Sequence, residues 1–305
     1  MSIHVAVCIV GFRNLDDIRE CVAALAKSTH QNFEIVICEN GGAAAHAELL
    51  AQLPTALPGG QPVRVFLAPG NIGYAGGANL CIRESQEAGA WWVLNPDTLP
   101  DPDAMGELVA ALDDSDLVGG IVYDEEREVG SYGGRWRKWL ARPESIGRGS
   151  RLEDPVDADA VVRQLGYISG SSMLVGRRFL ERVGPMREDY FLYCEEVEWC
   201  LRGTACGMRL GFAPRARILH KHGTTTGAGE EIRQRKKLPI YLDERNKMLL
   251  TRDLFPMRLP VAAGAAAALI FMRYARRRAW RQLGFALQGW GAGLMNRRGV
   301  PEWVP

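Results

Sequence analysis

The sequence predicts an α/β fold, a mostly parallel central sheet flanked by helices with a helical C-terminal extension, on three observations. Apolar runs of strand length recur every twenty-five to thirty residues through the first hundred positions. The gaps between them carry helix-compatible sequence, and a long, mostly helical stretch follows from about residue 237. Strand alternating with helix is the pattern of parallel strands joined by crossover helices, with both sheet faces covered.

The first strands are HVAVCIV (4–10), FEIVIC (33–38), VRVFL (63–67) and WWVL (91–94). Between the first two, Leu15, Ile18, Val22 and Leu25 repeat at helical spacing behind Asn14, a residue suited to an N-cap. AAAHAELLAQL and ANLCIRESQEAG fill the next two gaps as helices. Residues 124–160 are polar and rich in Gly, Arg and Trp, and read as loops with little core, suited to the acceptor side of a site. The segments GYISGSSMLVG, ERVGPMREDYFLY, EEVEWCLRGTACG and LGFAPRARILH then alternate again. The chain divides accordingly into residues 1–120, 121–236 and 237–305, the first two being halves of one domain.

With 47% hydrophobic and 24% charged residues, the 305-residue chain can bury a sizeable core. Its seven cysteines form no CxxC pair and have no zinc-ligand spacing with histidine, which predicts reduced core thiols and a cytoplasmic protein. MSIHVAVCIVGF lacks the features of a signal peptide. A net charge of +1 hides an asymmetry: residues 1–120 carry five Lys/Arg against fifteen Asp/Glu, and residues 251–305 nine Arg against two acids. Nucleic acid is not an expected partner.

Ligands of such sheets lie beyond the carboxyl ends of the strands. The residues found there are Arg13 and Asn14, then Glu39 to Gly42, then Gly70-Asn71-Ile72-Gly73 with Gly76-Gly77, and last Asn95-Pro96-Asp97. An acid after a buried strand, in a turn fixed by proline, can hold a hard cation beside a phosphate. GNIGYAGGANL is glycine-rich, yet it follows the third strand and lacks GxGxxG spacing, and no GxxxxGK[ST] occurs, so dinucleotide and P-loop classes are disfavoured. In DYFLYCEEVEWCLRG, Glu195, Glu196 and Glu198 fall in a helix's first turn, where the macrodipole favours anions. One such carboxylate facing a cleft would serve a sugar hydroxyl as general base, and Tyr190, Phe191, Tyr193 and Trp199 offer faces for stacking on sugar rings. His220 and His222 follow the apolar run ARIL, and a neutral imidazole can complete a shell begun by a carboxylate.

Taken in order, VAVCIVGFRNLDDI, EIVICENGG, APGNIGYAGGANLCI, WWVLNPDTLPDPDAM and ISGSSMLVGRRFLERVGPMREDYFLYCEEVEWCLR resemble the family 2 glycosyltransferases, in detail their rhamnosyltransferase-like branch, over residues 4–250. The resemblance implies a GT-A fold with a Rossmann-like sheet, a nucleotide-diphosphate sugar donor, Mg²⁺ or Mn²⁺, and inversion at the anomeric carbon. It implies rhamnose from dTDP-rhamnose as first donor and a UDP-sugar as next, with a glycan or lipid-linked saccharide of cell-surface polysaccharide synthesis as acceptor. Carried onto this sequence, Asp97 would bind the metal, with Asn95 in the first position of the motif and His220 as a further ligand. Phe12, Arg13, Glu39, Asn71, Gly73, Gly77 and Asn79 would join Asn95 and Asp97 in contacting the donor. Glu196 would be the base, with Glu195 the alternative, and Tyr193, Glu198 and Trp199 would meet the acceptor. The pattern departs in Glu39-Asn40 for Asp-Asn, Glu195-Glu196 for Glu-Asp, and Asn95 for an acid. A catalytically silent sugar-nucleotide-binding relative is the rival reading.

In the tail, LPVAAGAAAALIFM (259–272) falls short of the roughly twenty residues that span a bilayer. Arg273, Arg276, Arg277 and Arg281 follow beside Trp280, as in helices that lie on a membrane surface. Two readings stand: peripheral contact with the inner face of the membrane, or a helical cap or homodimer interface.

Overall fold

The computed structural model describes residues 2–221 and 231–304. The chain runs β1 (Val5–Gly11), α1 (Leu15–Leu25), β2 (Phe33–Glu39), α2 (Ala43–Gln52), β3 (Val63–Leu67), α3 (Gly73–Arg83), β4 (Ala90–Leu94), β5 (Thr98–Pro100), α4 (Ala104–Ala111) and β6 (Leu117–Tyr123). It continues through β7 (Val129–Ser131), β8 (Gly134–Arg137), β9 (Arg142–Ser145), α5 (Ala158–Val162), β10 (Ser172–Gly176), α6 (Arg177–Val183), α7 (Glu195–Ala205) and β11 (Leu210–His220). The tail is α8 (Lys237–Leu254), α9 (Leu259–Ala275) and α10 (Trp280–Leu294).

The main sheet has the order β3-β2-β1-β4-β10-β6-β11-β5, with β7 on the side of β6. The four expected strands are parallel, whereas β10 enters antiparallel between β4 and β6. β1 is buried throughout: Val5, Val7 and Ile9 face one helical layer, and Ala6, Cys8 and Val10 the other. Burial on both faces is why β1 and β4 read as unbroken apolar runs. Each fully buried Val or Ile contributes about 1.5–3 kcal/mol.

Asn14 precedes α1 as expected, but its side chain accepts from the Phe12 N–H at 2.9 Å and makes no bond to the first turn of α1. The third helix begins within the glycine-rich stretch, at Gly73, earlier than ANLCIRESQEAG suggested. Residues 124–160 also hold more structure than expected: β7, a β8–β9 hairpin and the start of α5. A small core of Val129, Tyr132, Leu152 and Val161 closes on Ile121, Tyr123 and Phe212. Sparse apolar residues suffice there because β6 and β11 supply the other half of the cluster.

In α8, Glu244, Arg245, Asn246, Lys247 and Thr251 are all buried. Among the described residues no helix is long and apolar enough to cross a membrane. The outward side of α9 nevertheless exposes Val261, Phe271 and Met272, flanked by Met257 and Trp280.

Candidate active site

The strand order reverses at β1, between β2 and β4, and such a switch opens a crevice at the carboxyl ends of those strands. Glu39 closes β2 there and is 1% exposed. Its Oε1 accepts from the backbone N–H of Arg13 at 3.0 Å and of Gly41 at 2.6 Å. Arg13 sits at φ 56°, and its Nε donates to the Gly41 carbonyl at 3.0 Å. One carboxylate oxygen thus holds the β1 and β2 turns together. The other, Oε2, is buried with no hydrogen-bond partner among the described residues. Phe12 and the Arg13 guanidinium, 5.4 Å from its ring centre, stand at the mouth, as does Asn71, whose Oδ1 accepts from Gly73 N at 3.2 Å.

Asp97 lies in the turn from β4 to β5, while His220 ends β11. The antiparallel pairing of β5 with β11 sets His220 opposite Thr98, and the Lys221 N–H donates to the Asp97 carbonyl at 3.0 Å. His220 Nε2 and Asp97 Oδ1 are 3.1 Å apart, and both side chains are largely buried. Asn95 is tied by its N–H to Ser171 O and by its carbonyl to the Thr98 hydroxyl. His222 lies outside the described residues.

The acid pair opens α7. Burial and the neighbouring Glu196 charge hold the Glu195 carboxyl well above the usual carboxylate range; its Oε2 has no hydrogen-bond partner among the described residues. Glu196 is half-buried, and loss of solvent, with a smaller contribution from Asp243, pushes it up to about 7. A carboxyl so placed is deprotonated above neutrality and still basic enough to take a proton. The part-buried Tyr74 hydroxyl donates to the Gly170 carbonyl at 2.6 Å. Burial above all, and then the charges of Glu195, Glu196 and Asp97, disfavour ionisation of this phenol and hold it well above its usual range.

The loop into α7 is strained: Phe191, Tyr193 and Cys194 have φ of 68°, 74° and 66°. Non-glycine residues held there cost about 1–3 kcal/mol each and persist where surroundings over-determine them. Fully buried Asn246 on α8 does so, its amide donating to the carbonyls of Tyr190, Leu192 and Tyr193 at 2.8–2.9 Å. From the other side, the Tyr74 N–H donates to Phe191 O at 2.8 Å, and a Cβ on Gly73 would lie 2.2 Å from that oxygen.

Residues 6–184, more than half of the chain, match the profile of Glycosyl transferase family 2. The chain belongs to that family. This family 2 glycosyltransferase is 23% identical over 248 residues to the low-salt glycan biosynthesis hexosyltransferase Agl10 of Haloferax volcanii, covering 76% of each chain. It is 27% identical over 256 residues to the N-acetylglucosaminyl-diphospho-decaprenol L-rhamnosyltransferase of Mycobacterium tuberculosis, covering 74% of this chain and 79% of that one. Its fold is similar to that of GalNAc-T7 with UDP, GalNAc and Mn²⁺, at TM-score 0.63 and 15% identity over 82% of this chain and 48% of that one, so it spans about half of that structure's length. It is also similar to the mannosyltransferase PcManGT of Pyrobaculum calidifontis with GDP-Man and Mn²⁺, at TM-score 0.58 and 15% identity, covering 97% and 88%. The GT-A architecture expected from the motifs is the one observed.

Several side chains of the glycosyltransferase work elsewhere than the sequence suggested. Trp199 is fully buried, stacked edge-on against Phe179 with its indole N–H on Gly184 O, and cannot meet an acceptor. Glu198 is 1% exposed and paired with Arg202 one turn on. Asn79 is spent on the Met186 backbone and Glu188. Gly73 and Gly77 serve packing: the first seats the acid loop, and the second lets α3 close on Val10, whose Cγ1 a Cβ would approach to 2.6 Å. Of the expected donor residues, Phe12 and Arg13 follow β1, Glu39 ends β2, Asn71 lies just before α3, and Asn95 and Asp97 follow β4. Half-buried Tyr193 sits in the strained loop.

Sequence reasoning missed Tyr74, Gly170 and Asn246. A Cβ at Gly170 would stand 3.2 Å from the Glu196 side chain, so this glycine leaves room for the carboxylate. Asn246→Ala should lower kcat by about 10- to 100-fold with donor KM unchanged, because the loop that aims Glu196 loosens. It should also cost on the order of 2 kcal/mol of stability, from carbonyls left without a donor. Steady-state kinetics beside denaturant unfolding checks this, and reduced stability with intact kcat would remove Asn246 from the site.

Proposed function

We propose that the protein is an inverting, metal-assisted glycosyltransferase in which Glu196 is the general base and Asp97 anchors the donor's diphosphate. The observation that carries this reading is the 170–171 turn, which joins the end of β4 to the acid pair: Ser171 O accepts from the Asn95 N–H, Gly170 O accepts from Tyr74, and a Cβ at Gly170 would stand 3.2 Å from the half-buried Glu196 side chain. Glu196 takes the proton of the acceptor hydroxyl as its oxygen attacks the anomeric carbon. The nucleoside diphosphate departs from the opposite face, which inverts the centre. Glu195, held neutral by burial, keeps the charge of the pair low enough for Glu196 to cycle. Glu39 Oε2 is a buried acceptor for the nucleoside, with Phe12, Arg13 and Asn71 at its edge.

Asp97 Oδ1 and His220 Nε2 form a hard oxygen and imidazole pair suited to Mn²⁺ or Mg²⁺. Among the described residues no group of three or more His, Cys, Asp or Glu forms a metal cage. Two protein donors fit a cation that takes its remaining ligands from phosphates and water. Such a cation, when bound, offsets the charge developing on the leaving diphosphate.

The two curated relatives named above support a hexose or L-rhamnose donor, and we take dTDP-rhamnose first and a UDP-sugar second. The acceptor we propose is a lipid-linked saccharide at the inner face of the membrane, supported by the exposed apolar side of α9 beside its arginines. UDP-, GDP- and dTDP-sugars should be tested with Mn²⁺ for binding and slow donor hydrolysis. At least one should bind in a metal-dependent manner and be hydrolysed; no binding by any rejects the reading, and binding without turnover on any acceptor favours a silent relative.

A further inference from the structure

We propose that a cavity of about 460 Å³ between the start of α8 and the end of α9 binds the diphosphate of a lipid-borne acceptor. The inference rests on the lipid-linked reading of the acceptor given above. Among the described residues the lining is Glu231, Ile232, Arg233, Arg235, Arg273 and Arg277, four guanidiniums and one carboxylate. Arginine forks match phosphate oxygens two at a time. Like charges gathered around one hollow repel, and a multiply charged anion relieves that repulsion.

The walls are tied together. Arg233 Nε donates to Arg277 O at 2.9 Å, the Gln282 amide donates to Arg233 O, and Arg277 Nη1 reaches Arg273 O at 3.4 Å. Met272, next to Arg273 on α9, is 43% exposed, and Trp280, at the start of α10 just after Arg277, is 60% exposed. Apolar side chains beside a phosphate-matched hollow are the arrangement for a ligand whose tail is hydrocarbon and whose head is a diphosphate. A soluble anion would use the arginines and leave the apolar side without purpose.

The cavity also connects to the base. Arg273 Nη1 is 4.0 Å from Glu244 Oε1. Lys247 Nζ bridges Glu244 at 3.1 Å and Asp243 at 2.7 Å, and Asp243 is among the charges that raise Glu196.

The test uses the full chain and flotation with three phosphatidylcholine vesicle types: undoped, doped with undecaprenyl diphosphate, and doped with phosphatidylglycerol to the same surface charge. Binding to the diphosphate vesicles should exceed the charge-matched ones by at least about tenfold. Arg273→Gln with Arg277→Gln should abolish that preference, while Arg276→Gln with Arg281→Gln, exposed and outside the cavity, should keep it. Equal binding to both charged vesicles, equal loss in the two double variants, or inorganic diphosphate bound as tightly as the lipid would overturn the proposal. Nucleotide-sugar binding, followed in every variant, reports folding and separates the two ideas. If it persists without vesicle preference only the cavity fails, and if the parent lacks it the transfer reading fails.

Discussion

Glu196→Gln should reduce kcat by about 10³-fold while nucleotide-sugar binding stays within about twofold of the parent. Gln keeps the size and the polar contacts of the side chain but cannot accept the acceptor's proton. The parent's pH profile supplies the second half of the prediction. The Glu196 carboxyl is raised to about 7, so the basic form is scarce below that pH and dominant above it. Activity should therefore rise with pH, half-maximal near 7, and the small residual rate of the variant should lack that limb. The linked stability has the opposite sense: a carboxyl whose folded value lies above its unfolded value favours the native state at low pH, and this contribution is lost as pH climbs through 7. Glu196→Gln should thus be relatively more stable than the parent at pH 8 than at pH 5. Glu195→Gln is the internal comparison. Because Glu195 is buried and held neutral, Gln there should cost far less turnover, and a larger loss at 195 than at 196 would reverse the assignment.

Asp97→Ala should remove roughly 10²–10³-fold from kcat/KM and abolish the dependence of donor binding on Mn²⁺. Asp97 is the carboxylate that the β4–β5 turn presents beside His220, so its loss leaves an imidazole alone to face the diphosphate. His220→Ala should weaken metal-assisted binding less, since the charge remains. Isothermal titration of donor with and without Mn²⁺ separates the two. Unchanged metal-dependent binding in Asp97→Ala would place the cation elsewhere.

Strand ends were legible because β1, β2 and β4 are largely buried on both faces, which writes each as a nearly continuous apolar run and makes the polar residue after it conspicuous. Glu39, Asn95 and Asp97 could be found that way. The encounter of Asp97 with His220, 123 positions away, required the pairing of β5 with β11, and a strand of three residues is too short to announce itself. Trp199 and Glu198 were misjudged for a different reason. Aromatic and acidic residues beside a pair of adjacent acids look functional, yet α7 is enclosed, with Val197, Trp199 and Cys200 all buried. The readable signal was Glu198 four positions before Arg202, the spacing of an intrahelical ion pair. Asn246 was invisible because its partners are main-chain carbonyls, which no residue type advertises. A run of polar residues, DERN, inside an otherwise helical segment was the available hint.

The Asn246 clamp lies sixty-two residues beyond the end of the stretch that matches the family profile. A chain cut after Lys236 would still hold the whole sheet, Asp97 and both glutamates of the pair, and would lack the Asn246 side of the clamp on the loop before them. During synthesis, the loop before α7 can be held from the Tyr74 side alone until the tail has emerged to supply Asn246. Full competence to transfer sugar is therefore expected to come late in the life of this polypeptide, when residues 237–305 dock.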